Sequence, residues 1–284
     1  MTKFRGRWVA VVPLLLLTAA CAQQVGPSAA DSAGAAFYPA DVPVVRIGYT
    51  GGYVSPVVTA TRLPGVSVYG DGRVISEGPV LLIYPGPALP NIQVGKIGAA
   101  EVAKLVEQAR AAGVGTAVDL GTPSITDLAT TRFTIRGPVG IEELEVYALN
   151  EATGPDSGLT AEQRAARDKL RAFAEKLTNL TGTTTQPYQP TAIAAVAQPW
   201  AANEADQKQA EVPWPGPALP GASLGDGLEL GCVTVTGAAV QQVIDAATKA
   251  NAATPWTSGG KRWTVTLRPL LPDETDCGSL SAGR

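Results

Sequence analysis

The hexapeptide Pro-Gly-Pro-Ala-Leu-Pro occurs twice in this chain, as YPGPALP at Tyr84–Pro90 and as WPGPALP at Trp214–Pro220. It limits the fold more than any other local feature. Three prolines in six residues fix backbone angles and remove hydrogen-bond donors, so neither copy can sit inside a helix or a central strand. Each therefore reads as an extended strap. Downstream of each strap is a helix beginning Gly-Ala-Ala, at Gly98 and at Gly237, and after each helix a strand, RFTIR or RWTVTL. The pattern predicts an α+β fold of two related strand-rich units, each with a packed helix, as an internal duplication would give. Gly-Asp-Gly precedes the first strap, at Gly70–Gly72, but follows the second, at Gly225–Gly227, so the order of elements is not fully repeated.

The reading places a first α+β unit at 42–150, a connecting helix at 151–182 and a second α+β unit at 183–284. With 31 glycines and 23 prolines, many turns and little long helix are expected. VPVVRIGY opens the first unit as a β-rich run, and VSVYGDGRVI places Gly70-Asp71-Gly72 between two strands as a hairpin turn. From Gly98 to Gly113, Val102, Leu105, Val106 and Ala109 fall at helical spacing. TTRFTIR and IEELEVYAL form a further hairpin. The connecting helix opens with Thr160 and Gln163 at capping-box spacing and carries Leu170, Phe173, Ala174 and Leu177 on one side. Arg164, Arg167 and Arg171 on the other side are expected to pair with Asp168 and Glu175 on a solvated face. YQPTAIAAVAQPW reads as a short strand and a Pro-bounded loop; the last third reads as strand CVTV, a helix with Val240, Val243, Ile244 and Ala247 on one face, and strand RWTVTLRPLL after a Gly259-Gly260 turn.

The amino terminus has the layout of a secretory signal: Lys3, Arg5 and Arg7, an apolar run from Trp8 to Leu17, then small residues before Cys21. The box Thr18-Ala19-Ala20-Cys21 resembles a bacterial lipoprotein signal, although leucine is usual where Thr18 stands. The resemblance implies that 1–20 is removed and that Cys21 is lipidated; the small, polar, aperiodic run that follows makes 21–41 read as a flexible tether. Three cysteines in an exported chain leave one unpaired unless one has another task. With Cys21 carrying lipid, Cys232 and Cys277 remain as a disulfide pair in an oxidising compartment; two buried free thiols are the alternative. Removing Lys3, Arg5 and Arg7 from the 22 basic residues leaves 19 against 25 acidic, a net charge of −6. Such a surface repels anionic lipid and nucleic acid, so membrane attachment rests on acyl chains.

The chain contains no histidine. A serine-histidine triad and histidine-based metal sites are therefore impossible, and three cysteines cannot make a four-cysteine site. Ser258 to Lys261 has serine-x-x-lysine spacing, but two glycines before a strand make it a turn. GGKR, Gly259 to Arg262, lacks the residues a phosphate-cradling loop needs. Asp71, Asp127, Glu142, Glu143 and Glu145 are the carboxylates available to a glycan hydrolase. Tyr84 and Trp214, each leading a strap, either pack beneath it or line a groove for a partner or glycan.

YGDGRVI, YPGPALP, CVTVTGAA and RPLLPDE, with Cys277 behind a lipoprotein signal, are together similar to actinobacterial envelope lipoproteins of no assigned activity. The resemblance implies location and architecture only. The expectation is a lipid-anchored, non-catalytic protein at the extracytoplasmic face of the cell membrane, without cofactor or metal, with a binding or assembly role toward an envelope protein or glycan. A carboxylate-dependent glycan hydrolase and a solute-binding lipoprotein are the alternatives.

Overall fold

The computed structural model describes residues 1–2, 38–137, 140–180, 185–201 and 209–280. Cys21, the rest of the signal segment and most of the tether lie outside the described residues. Residues 35–284 constitute one compact unit holding two sheets. The fold is α+β, as its alternating periods indicate.

The first sheet is built from β1 (Pro43–Gly51), β2 (Val66–Tyr69), β3 (Arg73–Glu77), β4 (Ile92–Lys96), β5 (Ala129–Gly137), β6 (Gly140–Tyr147) and β7 (Gln186–Pro187), in the order β6-β5-β1-β2-β3-β4-β7. Every pairing is antiparallel. Between β1 and β2 lies the short helix α1 (Pro56–Thr61). Helix α2 (Ala99–Ala112) ends at Gly113, whose left-handed conformation lets its N–H reach back to carbonyls of the last turn. Helix α3 (Ala161–Asn179) starts with the expected capping box: the Gln163 N–H donates to Thr160 Oγ1 at 3.2 Å and the Thr160 N–H to Gln163 Oε1 at 2.9 Å. The apolar stripes of α2 and α3 close over one face of the sheet. Val102, Leu105, Val106 and Ala109 join Leu170, Phe173 and Leu177 against Val45, Ile47, Val68, Phe133 and Ile135. The segment read as a connecting helix is thus a wall of the first core.

One expectation is overturned here. Arg167 is fully buried rather than solvated, and its guanidinium donates to the carbonyls of Leu120, Tyr147 and Ala148. Arg171 donates to the Leu149 carbonyl and pairs with Asp168. The chain around Leu149 turns away from β6, leaving carbonyls that no ladder satisfies, and the two arginines reach them from α3. Helical spacing reveals a charged face but not what covers it.

The second sheet comprises β8 (Ala192–Pro199), β9 (Val212–Pro213), β10 (Ala222–Ser223), β11 (Gly231–Thr236), β12 (Trp256–Ser258) and β13 (Lys261–Pro269), ordered β10-β11-β8-β13-β12-β9. Its pairings are antiparallel except β9 with β12. Helix α4 (Ala238–Ala247) sets Val240, Val243 and Ala247 on one face, against Ile193, Ala195, Val235, Val265 and Leu267. On the other face Ala194, Val196, Cys232, Leu270 and Leu280 pack together, with Val57 of α1 against them. β8 is the central strand, buried on both faces from Ala192 to Ala197. The helices span different strands: α2 leads from β4 to β5, past β3, β2 and β1, whereas α4 leads from β11 to β12, past β8 and β13.

The segment RPLLPDE joins the sheets. Arg268, at the end of β13, forms a forked ion pair with Glu274, and Glu274 also accepts the Leu271 N–H at 2.7 Å. Leu271 packs against Tyr69, Ile75 and Ile92 on the back of the first sheet. Beside it, Arg46 of β1 donates both terminal nitrogens to Asp273 at 2.9 and 2.7 Å, and the Tyr69 O–H donates to the same carboxylate at 2.7 Å. Cys277 then forms the expected disulfide with Cys232 of β11, at a Cα–Cα distance of 6.1 Å.

Candidate functional site

The first strap belongs to an arm that leaves β3 after Glu77 and returns at β4. At its root the Gly78 N–H donates to the Asn91 carbonyl at 2.6 Å, and Asn91 Nδ2 donates to the Pro79 carbonyl at 3.0 Å. At its far end Pro87 bridges to Asn251 beyond α4, and the Ala252 N–H donates to the Gly86 carbonyl at 2.8 Å. Ala88 and Leu89 pack on the apolar cluster that contains Trp214, Leu219 and Trp256. Both copies of the repeated hexapeptide therefore meet in one core. The first copy reaches it from the neighbouring sheet; the second leads out of β9 within its own.

The two leading aromatics have opposite environments. Trp214 is 8% exposed, stands edge-on to Trp256 with centroids 5.5 Å apart, and donates its indole N–H to the Pro217 carbonyl at 2.7 Å. Tyr84 is 73% exposed. The two rings do not present faces to a common ligand. Of the other tryptophans, Trp256 and Trp263 are buried and Trp200 lies under the Arg262 guanidinium at 4.5 Å.

Identical glycines in the straps answer different needs. A Cβ at Gly216 would stand 2.6 Å from the Trp214 ring, because the indole folds back over its own strap. At Gly86 the nearest atom, the Ile83 carbonyl oxygen, is 4.0 Å away. Gly216→Ala is expected to lower stability by about 1–3 kcal/mol through overpacking. Gly86→Ala should change it by no more than about 0.5 kcal/mol. Urea denaturation of the two variants checks the contrast.

Between its pinned ends the arm carries Val80, Leu81, Leu82, Ile83 and Tyr84, exposed by 67, 64, 100, 60 and 73%. Burying an aliphatic side chain of this size is worth about 1.5–3 kcal/mol, a gain this stretch forgoes four times in succession. Single exposed hydrophobes are ordinary; a contiguous run marks a surface that meets something. From Gly78 to Ile83 the backbone has neither turn nor bend, and Val80 to Ile83 make no backbone hydrogen bond. No Asp, Glu, Lys or Arg stands between Glu77 and Lys96. The site is an uncharged, extended, apolar span held at both ends. Sequence reasoning singled out Tyr84 but passed over Val80 to Ile83, although the signal was there: an apolar run closed by Pro79 and Pro85 cannot continue into a sheet.

The five candidate carboxylates do not gather. Asp71 accepts the Arg73 N–H and side chain in its own turn, at the end of the first sheet opposite the β5 start where Asp127 stands. Glu142 pairs with Arg110 of α2 on the helix-covered face. Glu143 and Glu145 point to the other face, with Glu145 paired to Arg132. Ser258 and Lys261 flank the β12–β13 turn, and Ser258 Oγ accepts the Leu219 N–H at 3.2 Å. Among the described residues no group of three or more acids and cysteines is placed to hold a metal, and no helix is long and apolar enough to cross a membrane. Comparison with protein-family models, curated proteins and solved structures finds no match to this chain.

Proposed function

We propose that this is a lipid-anchored, non-catalytic protein of the extracytoplasmic face of the cell membrane, related to the actinobacterial envelope lipoproteins and acting by binding or assembly. The observation that carries the reading is the arm: an uncharged apolar span, Val80 to Tyr84, presented to solvent by a scaffold that fixes both ends. A surface of that kind serves association, since it offers no proton donor, nucleophile or ligand set apart from one phenol. The Cys232–Cys277 disulfide supports an oxidising compartment. Cys21 supplies the anchor and the 21–41 segment the reach.

The test is the chemical state of residue 21. Protein from a membrane fraction of the native host is expected to begin at Cys21 and to carry diacylglycerol, read by intact mass. Cys21→Ser should release it from the membrane fraction. A chain that begins at Met1, or a Cys21→Ser form that stays with the membrane, contradicts the reading.

A further inference from the structure

We infer that Val80–Tyr84 is a self-association strand, through which two copies of this chain pair antiparallel about Leu82. The inference gives the assembly role of the proposed function its partner, and rests on that reading only for where pairing takes place.

The backbone selects the class of partner. Val80 to Ile83 run without turn or bend and leave their N–H and C=O groups without backbone partners. Hydrocarbon cannot satisfy such groups, so an open span of this kind is excluded from a bilayer core even though its side chains are apolar. Another strand satisfies them at once, as in recognition by strand addition. In an antiparallel pair centred on Leu82, Leu81 of each copy exchanges N–H···O=C bonds with Ile83 of the other. Those four bonds use only groups that are unpaired within the monomer.

The side chains select a second copy. About Leu82 the sequence is self-complementary: Leu82 faces Leu82, Leu81 faces Ile83, and Val80 faces Tyr84, so every cross-strand pair is apolar. Two copies of an acidic protein repel wherever charged surfaces meet, but this segment brings together only residues from the charge-free interval between Glu77 and Lys96. Pro79 and Pro85 end the pairing on both sides, so the contact closes as a two-fold dimer instead of propagating. Five residues a side bury less than the standard interface of about 800 Å² per partner. The dimer is therefore weak in dilute solution and is strengthened where anchored copies share a surface, which raises their effective concentration.

The test uses the chain from residue 21 with Cys21→Ser; it retains the whole compact unit from Ala35 and needs no anchor, so its outcome is independent of the lipidation result. Sedimentation velocity over rising concentration is expected to show a monomer–dimer equilibrium. Leu82→Asp, which sets two carboxylates face to face, should weaken it by ~10-fold or more, while Leu82→Ile keeps it. The two-fold axis makes a sharper claim. A cysteine placed at 82 meets its own copy at a Cα distance of about 4.5 Å, within disulfide reach, whereas one at 80 lies about four residues along the strand from its mate. Leu82→Cys is expected to give a cross-linked dimer on mild oxidation, and Val80→Cys to give none. A monomer at every concentration, equal cross-linking at 80 and 82, or binding of the monomer to phosphatidylcholine vesicles that Leu82→Asp abolishes, would each overturn the inference.

Discussion

Glu274→Ala will lower the stability of the fold by about 3–5 kcal/mol, the loss expected when a buried ion pair loses one member and strands the other. Arg268 is 4% exposed in its side chain and Glu274 11%, so removing the carboxylate leaves a guanidinium with little water to turn to. The Leu271 N–H loses its acceptor as well. The charge, and not the packing, is the source of the loss: replacing both partners together, as Arg268→Met with Glu274→Leu, should cost less than either single change. Denaturant titration of the three variants reads the cycle. Asp273, one residue before, adds a dependence on pH. Burial pushes its carboxyl up, but the Arg46 fork and the Tyr69 hydroxyl outweigh burial and hold it below the ordinary aspartate value. A depressed carboxylate stabilises the fold fully above its unfolded value, about 3.9, and that contribution disappears as pH falls through the folded value. Stability of the wild-type chain should therefore fall below about pH 4 more steeply than that of Asp273→Asn.

Loss of the disulfide ranks second. Cys232 and Cys277 stand 45 positions apart, and closing a loop of that size restricts the unfolded chain by about 4 kcal/mol in the chain-entropy account. Reduction, or Cys232→Ser with Cys277→Ser, should lower the melting temperature by roughly 8–16 °C for a unit of this size. The two effects share a cause. Asp273 fixes the tail to the first sheet, Glu274 fixes it to β13 and Cys277 fixes it to β11. Reduction and Glu274→Ala should therefore not add: a tail already released at one point loses part of what the next contact held. Circular dichroism melts of the variant, oxidised and reduced, measure the shortfall.

Local signals were legible wherever local physics decides the outcome. The buried stripe of α2, the capping box of α3 and the Gly259-Gly260 turn, both of whose residues have positive φ, stand where periodicity and turn chemistry put them. The disulfide followed from the cysteine count together with the lipoprotein resemblance, which gives Cys21 another task. What was not legible depends on distant chain. TAIAAVA read as a short strand beside a loop, yet β8 is an inner strand of its sheet, buried on both faces, where small side chains allow close packing. Arg167 looked solvated because nothing on α3 records the carbonyls of Leu120, Tyr147 and Ala148 that surround it. The joining role of RPLLPDE was not legible because Arg46 and Tyr69, which bind Asp273, lie more than two hundred positions earlier. The arm illustrates the same limit from the opposite direction. VLLIY has the composition of a buried strand, yet it stands exposed between ends bonded at the first sheet and beyond α4.

On the proposed function, this outer span, not a cleft, is the working surface. A photo-crosslinking amino acid at position 82 tests that in intact cells, with position 89, packed against the second core, as the comparison. Illumination is expected to join residue 82 to protein as a discrete adduct, at the mass of two copies of this chain, and to leave residue 89 without an intermolecular product. No adduct at 82, or adducts to lipid alone, would contradict it.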